Sequence, residues 1–156
     1  AILSLKIKME PNITVMVVYK NNKNLPISSI KFNDKILGWA ANENSKNRFQ
    51  SEYSLWTIQS NIKWAKRNIN FYKNKKIETT KIIIDRFHKL VGLNRKEIVK
   101  TSIHGWKYSY NLKPTKYKSY WSDRYNLGLC GDWFIGPVVE SSWISANNLL
   151  KQIRSK

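Results

Sequence analysis

Seven residues, Ile13 to Tyr19, form a β-branched run dense enough for a central strand, and ahead of them Ile2 to Lys8 alternates apolar and polar positions. Asn21 to Pro26 is rich in turn formers and breaks the pattern. Ile27 to Phe32 and Ile36 to Asn42 then read as two more strands, joined by a turn at Asn33 and Asp34. After a polar loop over Asn42 to Ser51, Tyr53 to Gln59 alternates again, with Trp56 and Ile58 on one side and Tyr53, Leu55 and Thr57 on the other.

The period then changes. Ser60 stands where a cap belongs for a short helix over Ile62 to Ile69, with Trp64 and Ala65 facing inward. A longer helix runs from Ile77 to Leu90. Its apolar face is Ile77, Thr80, Ile84, Phe87 and Val91, and Gly92 is placed to end it in a left-handed conformation. His88 sits within this helix and reads as partly exposed. Ile98 to Tyr110 returns to strand character through Ile103, Trp106, Tyr108 and Tyr110, and a lysine- and tyrosine-rich loop, Lys113 to Tyr125, follows.

The last stretch is a short strand burying Leu127 and Leu129, a glycine turn, and an uninterrupted helix with Pro137 in its first turn. Along that helix Ser142, Trp143, Ala146, Leu149, Leu150 and Ile153 recur at helical spacing, giving one face able to pack closely on a flat partner. The elements sum to an α+β chain: a mixed, largely antiparallel sheet with two helices packed on it, then a C-terminal strand and helix.

Composition narrows the class. With 156 residues, 42% hydrophobic and seven tryptophans, the chain can bury a core and should be soluble, and no apolar run is long enough to cross a bilayer. A single cysteine, Cys130, makes no internal disulfide, and no leader pattern opens the sequence, so a cytoplasmic setting is expected. A chain opening on Ala1 instead of methionine reads as a piece of a longer protein.

The net charge of +18, from 28 basic and 10 acidic residues, invites nucleic acid as a partner. Lysine is nevertheless spread along almost every segment, and its densest groups, Lys20 to Lys23, Lys63 to Arg67, Lys73 to Lys76 and Lys113 to Lys118, are short. Solvated surface is the better account. Trp106-Lys107-Tyr108 and Lys116 to Trp121 interleave aromatic with basic residues as a base-stacking surface does, but alternating aromatics more often pack a half-buried sheet face.

One cysteine and two histidines offer no metal-ligand cluster. His104, Asp132 and Ser141 or Ser142 supply the residue types of a hydrolase triad without the Gly-x-Ser-x-Gly elbow that would expose the nucleophile. Phosphate loops of the Walker and Gly-x-Gly-x-x-Gly types are both absent, so this chain alone holds no complete dinucleotide cradle. Asp132 fits equally a turn cap and a ligand contact, and its company of Gly131, Gly136 and Glu140 on one turn favours binding.

At that turn the chain resembles the carboxyl-terminal part of the renalase-like FAD-dependent amine oxidases, also described as NAD/FAD-dependent oxidoreductases. The likeness rests on Gly128 to Trp133, Gly136, Pro137, Val139, Glu140, Trp143 and Ser145. Upstream it rests on His104-Gly105-Trp106-Lys107-Tyr108, on Leu37 to Asn42 with Ser45 and Lys46, and on Trp56 through Trp64. The resemblance implies a substrate-binding domain over residues 1–118. Residues 119–156 would then close an FAD-binding domain whose N-terminal Rossmann half lies outside this chain.

It further implies cofactor contacts from Gly131, Asp132, Trp133, Gly136, Val139 and Glu140, with the start of the last helix aimed at the flavin. Trp39, His104, Trp106 and Tyr108 would line the pocket for a small-molecule substrate, and a nicotinamide is a candidate redox partner. The isolated chain would be inactive. Three departures from the family pattern, Val138 in place of arginine, Ser141-Ser142 in place of Gly-Ala, and Ala146 in place of glycine, would narrow the space over the cofactor that the resemblance implies. A basic module for single-stranded nucleic acid and a scaffold without cofactor are the alternatives.

Overall fold

A computed structural model describes residues 7–20, 27–92 and 97–155. Its elements in order are β1 (Met9–Tyr19), β2 (Ser29–Lys31), β3 (Leu37–Asn42), β4 (Ser54–Ser60), α1 (Ile62–Asn74), α2 (Lys76–Val91), β5 (Ile98–Asn111), β6 (Tyr120–Ser122), β7 (Leu127–Leu129) and α3 (Val139–Arg154). This is the expected α+β class. Contacts divide the chain into two units, Pro11–Tyr108 and the remainder, Ala1–Glu10 with Ser109–Lys156.

In the larger unit five strands form an antiparallel sheet in the order β2-β3-β4-β1-β5. Registers such as Val17↔Trp56 and Ala40↔Ile58 bring the two apolar sets onto one face. There Ile13, Val15, Val17 and Tyr19 of β1 meet Trp56 and Ile58 of β4, and α1 and α2 close over them with Ala65, Tyr72, Ile83, Ile84 and Phe87. Phe87 lies at the centre of this layer, with its ring 5.3 Å from Trp56 and edge-on to Phe32. Tyr19 donates to or accepts from His88 Nε2 at 2.7 Å, and burial, reinforced by the charge of Glu97, pushes its phenol well above the usual value.

Several local expectations shift. Most of the strand expected over Ile2 to Lys8 falls outside the described residues, and Ile7 and Lys8 themselves are not in a strand. α1 extends five residues beyond Ile69, to Asn74, and its cap is Asn61, whose side chain accepts from Lys63 N. Ser60 is instead the last residue of β4, where its hydroxyl accepts from Ile13 N. On α2 the buried line is Thr79, Ile83, Ile84 and Phe87, while Ile77 is 87% exposed. Isoleucines at 77, 82, 83 and 84 offer two overlapping stripes, and the sheet selects one of them. Gly92 ends the helix at φ 75°, as expected.

The turn between β2 and β3 is tied to the helix layer. Asp34 accepts from Ile36 N and Leu37 N, each at 2.9 Å, and forms an ion pair with Arg86 of α2. The hydrogen bond from Arg86 is the main reason that the Asp34 carboxyl lies well below the usual carboxylate range; burial opposes it, and the two amides reinforce it. Asp34→Ala is expected to cost about 2 kcal/mol at neutral pH, since it leaves two amides without an acceptor. A carboxyl depressed in the folded state contributes stability above its unfolded pKa, about 4, and loses it as pH falls toward the folded value. The gap between wild type and Asp34→Ala in urea denaturation should therefore close below about pH 4; a gap constant with pH would contradict the pairing.

In the smaller unit β6 and β7 form an antiparallel pair, Trp121↔Gly128 at its centre, followed by a 3-10 turn over Asp132–Phe134 and then α3. The stretch expected as a loop up to Tyr125 therefore contains a strand. α3 is inverted relative to the usual amphipathic rule. Its buried or half-buried line is Ser141, Ser145, Asn148, Leu149 and Gln152, whereas Val139, Trp143, Leu150 and Ile153 are exposed.

Polar side chains hold it by hydrogen bonds. Ser145 Oγ donates to Lys118 O at 2.6 Å and accepts from Gly131 N at 3.0 Å. Gln152 Nε2 donates to Ser119 Oγ and Asn148 Oδ1, and Ser119 Oγ donates to Asn148 Oδ1. Leu149 is the apolar exception, lying against Gly128, where a Cβ would collide with its methyls.

Candidate functional site

Helices cover one face of the five-stranded sheet, and the opposite face is the candidate substrate surface. Side chains there alternate with the core set: Thr14, Met16 and Val18 on β1, Leu55, Thr57 and Gln59 on β4, Trp39 on β3. Trp39 pairs directly with Gln59 on one side and Lys31 on the other, which places all three on this face. On β5, Ile103 packs against the core and a Cβ at Gly105 would overlap the Tyr72 ring, so both positions look toward the helices. Alternation then turns His104, Trp106 and Tyr108 to the side away from α1 and α2.

All four residues expected to line a substrate pocket thus share one face. The structure brings His104 and Trp106 together, with ring centroids 4.3 Å apart. Trp106 is 51% and Tyr108 67% exposed, and Lys107 Nζ lies 5.2 Å from the Tyr108 ring centroid. Trp39 stands apart from them, on β3, with β4 and β1 in between.

Alternation along β1 also places a carboxylate on this side, Glu10, which is 1% exposed. Glu43, at the end of β3, hydrogen-bonds to Thr57 and is held by Lys46 Nζ through both oxygens, at 2.8 and 2.7 Å. Burial would raise its pKa, but these two partners outweigh it and lower the carboxyl. Lys31 pairs with Trp39 on this face, and Lys107, which alternation roots on the side of α1 and α2, brings its Nζ near the Tyr108 ring; neither forms a salt bridge within the described residues.

The six residues expected at a cofactor occupy the connection from β7 to α3. Gly131 has φ 153°, a conformation that a side chain would strain. Asp132 Oδ1 accepts from Trp133 N at 2.8 Å and does not cap α3, whose N-cap is Val138 with no side-chain hydrogen bond. Trp133 stacks on the buried Phe134 at 3.8 Å. Gly136 N is bonded to Asp132 O, and Val139 and Glu140 open α3 fully in solvent. Glu140 places a carboxylate in the first turn, where it favours the helix dipole.

No family model matches this chain, and no curated protein matches it. Among the described residues no group of three histidines, cysteines, aspartates or glutamates is placed to hold a metal ion, and no helix is long and apolar enough to cross a membrane.

A feature that the sequence did not disclose is a groove of about 480 Å³ on the helix side, between α2 and β5, with Ile77, Ile84, Ile98 and Ile103 in its lining. It depends on which stripe of α2 turns to the sheet. The period alone left that choice open.

Proposed function

We propose that this chain is the substrate-binding part and closing segment of an FAD-dependent oxidoreductase of the renalase-like amine-oxidase type, cytoplasmic, acting on a small-molecule donor. The observation that carries the reading is α3. A helix whose polar side is buried through hydrogen bonds, and whose apolar side, with Trp143 70% exposed, faces outward, is suited to sit between two layers. The reading supplies the second layer: the Rossmann half of the same protein.

The residues present suit the cofactor. The start of α3 has no side-chain cap, and Gly136 before it leaves room, with the nearest atom to a Cβ there at 3.6 Å, whereas the space at Gly131 is taken by the Trp133 indole. Helix-terminal amides of that kind would hold the electron-rich pyrimidine edge of the flavin, and the N-terminal end of the dipole would stabilise negative charge there. When bound, the flavin supplies hydride acceptance. This chain would supply the shelf that orients the donor, Trp106 and Tyr108 with Trp39, and would exclude water from it.

Two measurements test this. The longer protein should purify yellow with FAD, or take it up when added; failure of both would remove the flavin assignment. Trp143→Asp should change the stability of this chain by less than about 0.5 kcal/mol, since the side chain is exposed, yet cost the longer protein about 2 kcal/mol or more where the face is covered. Equal and small effects in both would contradict the sandwiched helix.

A second reading, a module for single-stranded nucleic acid, draws on the exposure of Trp106 and Tyr108 beside Lys107. It expects salt-dependent oligonucleotide retention that is lost when both aromatics become alanine.

A further inference from the structure

We propose that the groove between α2 and β5 binds a free medium-chain carboxylate, an apolar tail ending in one negative charge. The inference goes beyond the flavin reading and uses no part of it, since the groove lies on the helix side of the sheet, away from Trp106 and Tyr108. Its volume, about 480 Å³, falls within the range of about 300–1,000 Å³ of small-molecule sites. Its floor is apolar. Ile84 is almost fully buried there, and Ile98 and Ile103 pack against the same core from β5. Ile77 stands over that floor and is 87% exposed. Two turns separate Ile77 from Ile84 along one side of α2, the stripe that the sheet leaves uncovered. An alkyl chain laid in the groove takes this surface out of water, and each methylene it buries adds to affinity.

The charges select the head group. Lys76 and Lys81 both line the groove, and among the described residues no carboxylate does. Neither lysine forms a salt bridge within the described residues. Lys76 Nζ lies 5.9 Å from the Tyr72 ring centroid, at the outer limit of attraction to a ring face, so its charge is left for a ligand. Of the acids on α2, Glu78 is paired with Lys75 at 3.2 Å and Asp85 takes no part in the lining. On the β5 wall Thr101 and Ser102 add hydroxyl donors. A carboxylate therefore meets two cations and no opposing acid, whereas an ammonium meets two like charges. A second copy of this chain is a poor occupant, because it brings its own net charge of +18 to a groove already lined by lysines.

The probes are decanoate, decanol and decylamine, which share one tail, titrated at fixed ionic strength into this chain carrying isotope-labelled isoleucine methyls and followed by NMR. The methyls of Ile77, Ile84, Ile98 and Ile103 should shift together and saturably, with decanoate at least about ten-fold tighter than decylamine. Octanoate should bind about three-fold or more weakly than decanoate, since it buries two methylenes fewer. Lys76→Ala combined with Lys81→Ala should weaken decanoate about five-fold and leave decanol within about two-fold. Lys35→Ala combined with Lys63→Ala removes the same charge from exposed positions outside the groove and should leave decanoate within about two-fold. Ile77→Glu, at an exposed position that the fold does not need, should abolish decanoate binding; far-UV circular dichroism checks that each variant is folded.

Shifts at other isoleucines in place of these four, equal affinities for decanoate and decylamine, equal losses from the two lysine pairs, or decanoate binding that survives Ile77→Glu would each overturn the inference. So would the absence of binding. Groove methyls that shift with protein concentration alone would make the groove a contact between copies and overturn it as well.

Discussion

Phe87→Ala is expected to cost about 4 kcal/mol. Its ring is fully buried and is the meeting point of two layers: Trp56 at 5.3 Å from the sheet side, Phe32 at 6.3 Å from the β2–β3 turn, and His88 beside it on α2. Two causes add. Apolar area is lost from the core, and a cavity opens between a helix and a sheet that cannot close it without moving α2, which is pinned by the pair of Arg86 with Asp34. Since domains hold only about 5–15 kcal/mol in total, urea unfolding should move to a much lower midpoint. A loss under about 1 kcal/mol would mean that α2 does not pack as described.

Ser145→Val is expected to be nearly as damaging to the smaller unit, although it exchanges a polar residue for an apolar one of similar shape. Ser145 is fully buried, and its hydroxyl is both the donor to Lys118 O and the acceptor for Gly131 N. Valine removes both partners at once and leaves a carbonyl and an amide unsatisfied, for about 2–4 kcal/mol at about 1–3 each, offset slightly by the added methyl contact. The change should appear first as faster hydrogen exchange at the Gly131 amide, because that amide loses its acceptor directly. Unchanged exchange at Gly131 would mean that the hydroxyl is not what anchors the connection. A Ser145→Thr variant, which keeps the hydroxyl, separates loss of the bonds from steric crowding.

Much of the architecture is legible in the residues. β3 and β4 differ from their expected ranges by a single residue at one or both ends, Trp56 and Ile58 are on the core side as alternation requires, and Gly92 ends α2 in the left-handed conformation. Caps were less legible. Ser60 and Asn61 are adjacent and both able to cap, and the choice fell to Asn61 because Ser60 completes β4 and bonds to Ile13. The sequence carries no mark of that long-range bond.

The helix of the cofactor stretch was legible as an element, and its orientation was not. Its apolar positions recur at the spacing that normally marks an inward face, whereas in this chain that face is outward, and small polar residues satisfy buried backbone groups of the glycine turn and of Lys118. Periodicity reports that a helix has two different sides; which side is buried depends on what lies next to it. For the candidate pocket, likewise, the residue types of Trp39, His104, Trp106 and Tyr108 were available in advance, but their common face follows from strand order and register.

The sequence by itself determined the local elements and the class they make, because alternation, helical period, glycine and capping chemistry act over a few residues. Only the tertiary structure decided which stripe of α2 is buried, that α3 turns its serines inward, and that Trp106 and Tyr108 stay exposed. Those outcomes depend on pairings between residues tens of positions apart, such as Arg86 with Asp34 and Ser145 with Lys118, and the energies of such contacts are set by burial and geometry that one segment cannot encode alone.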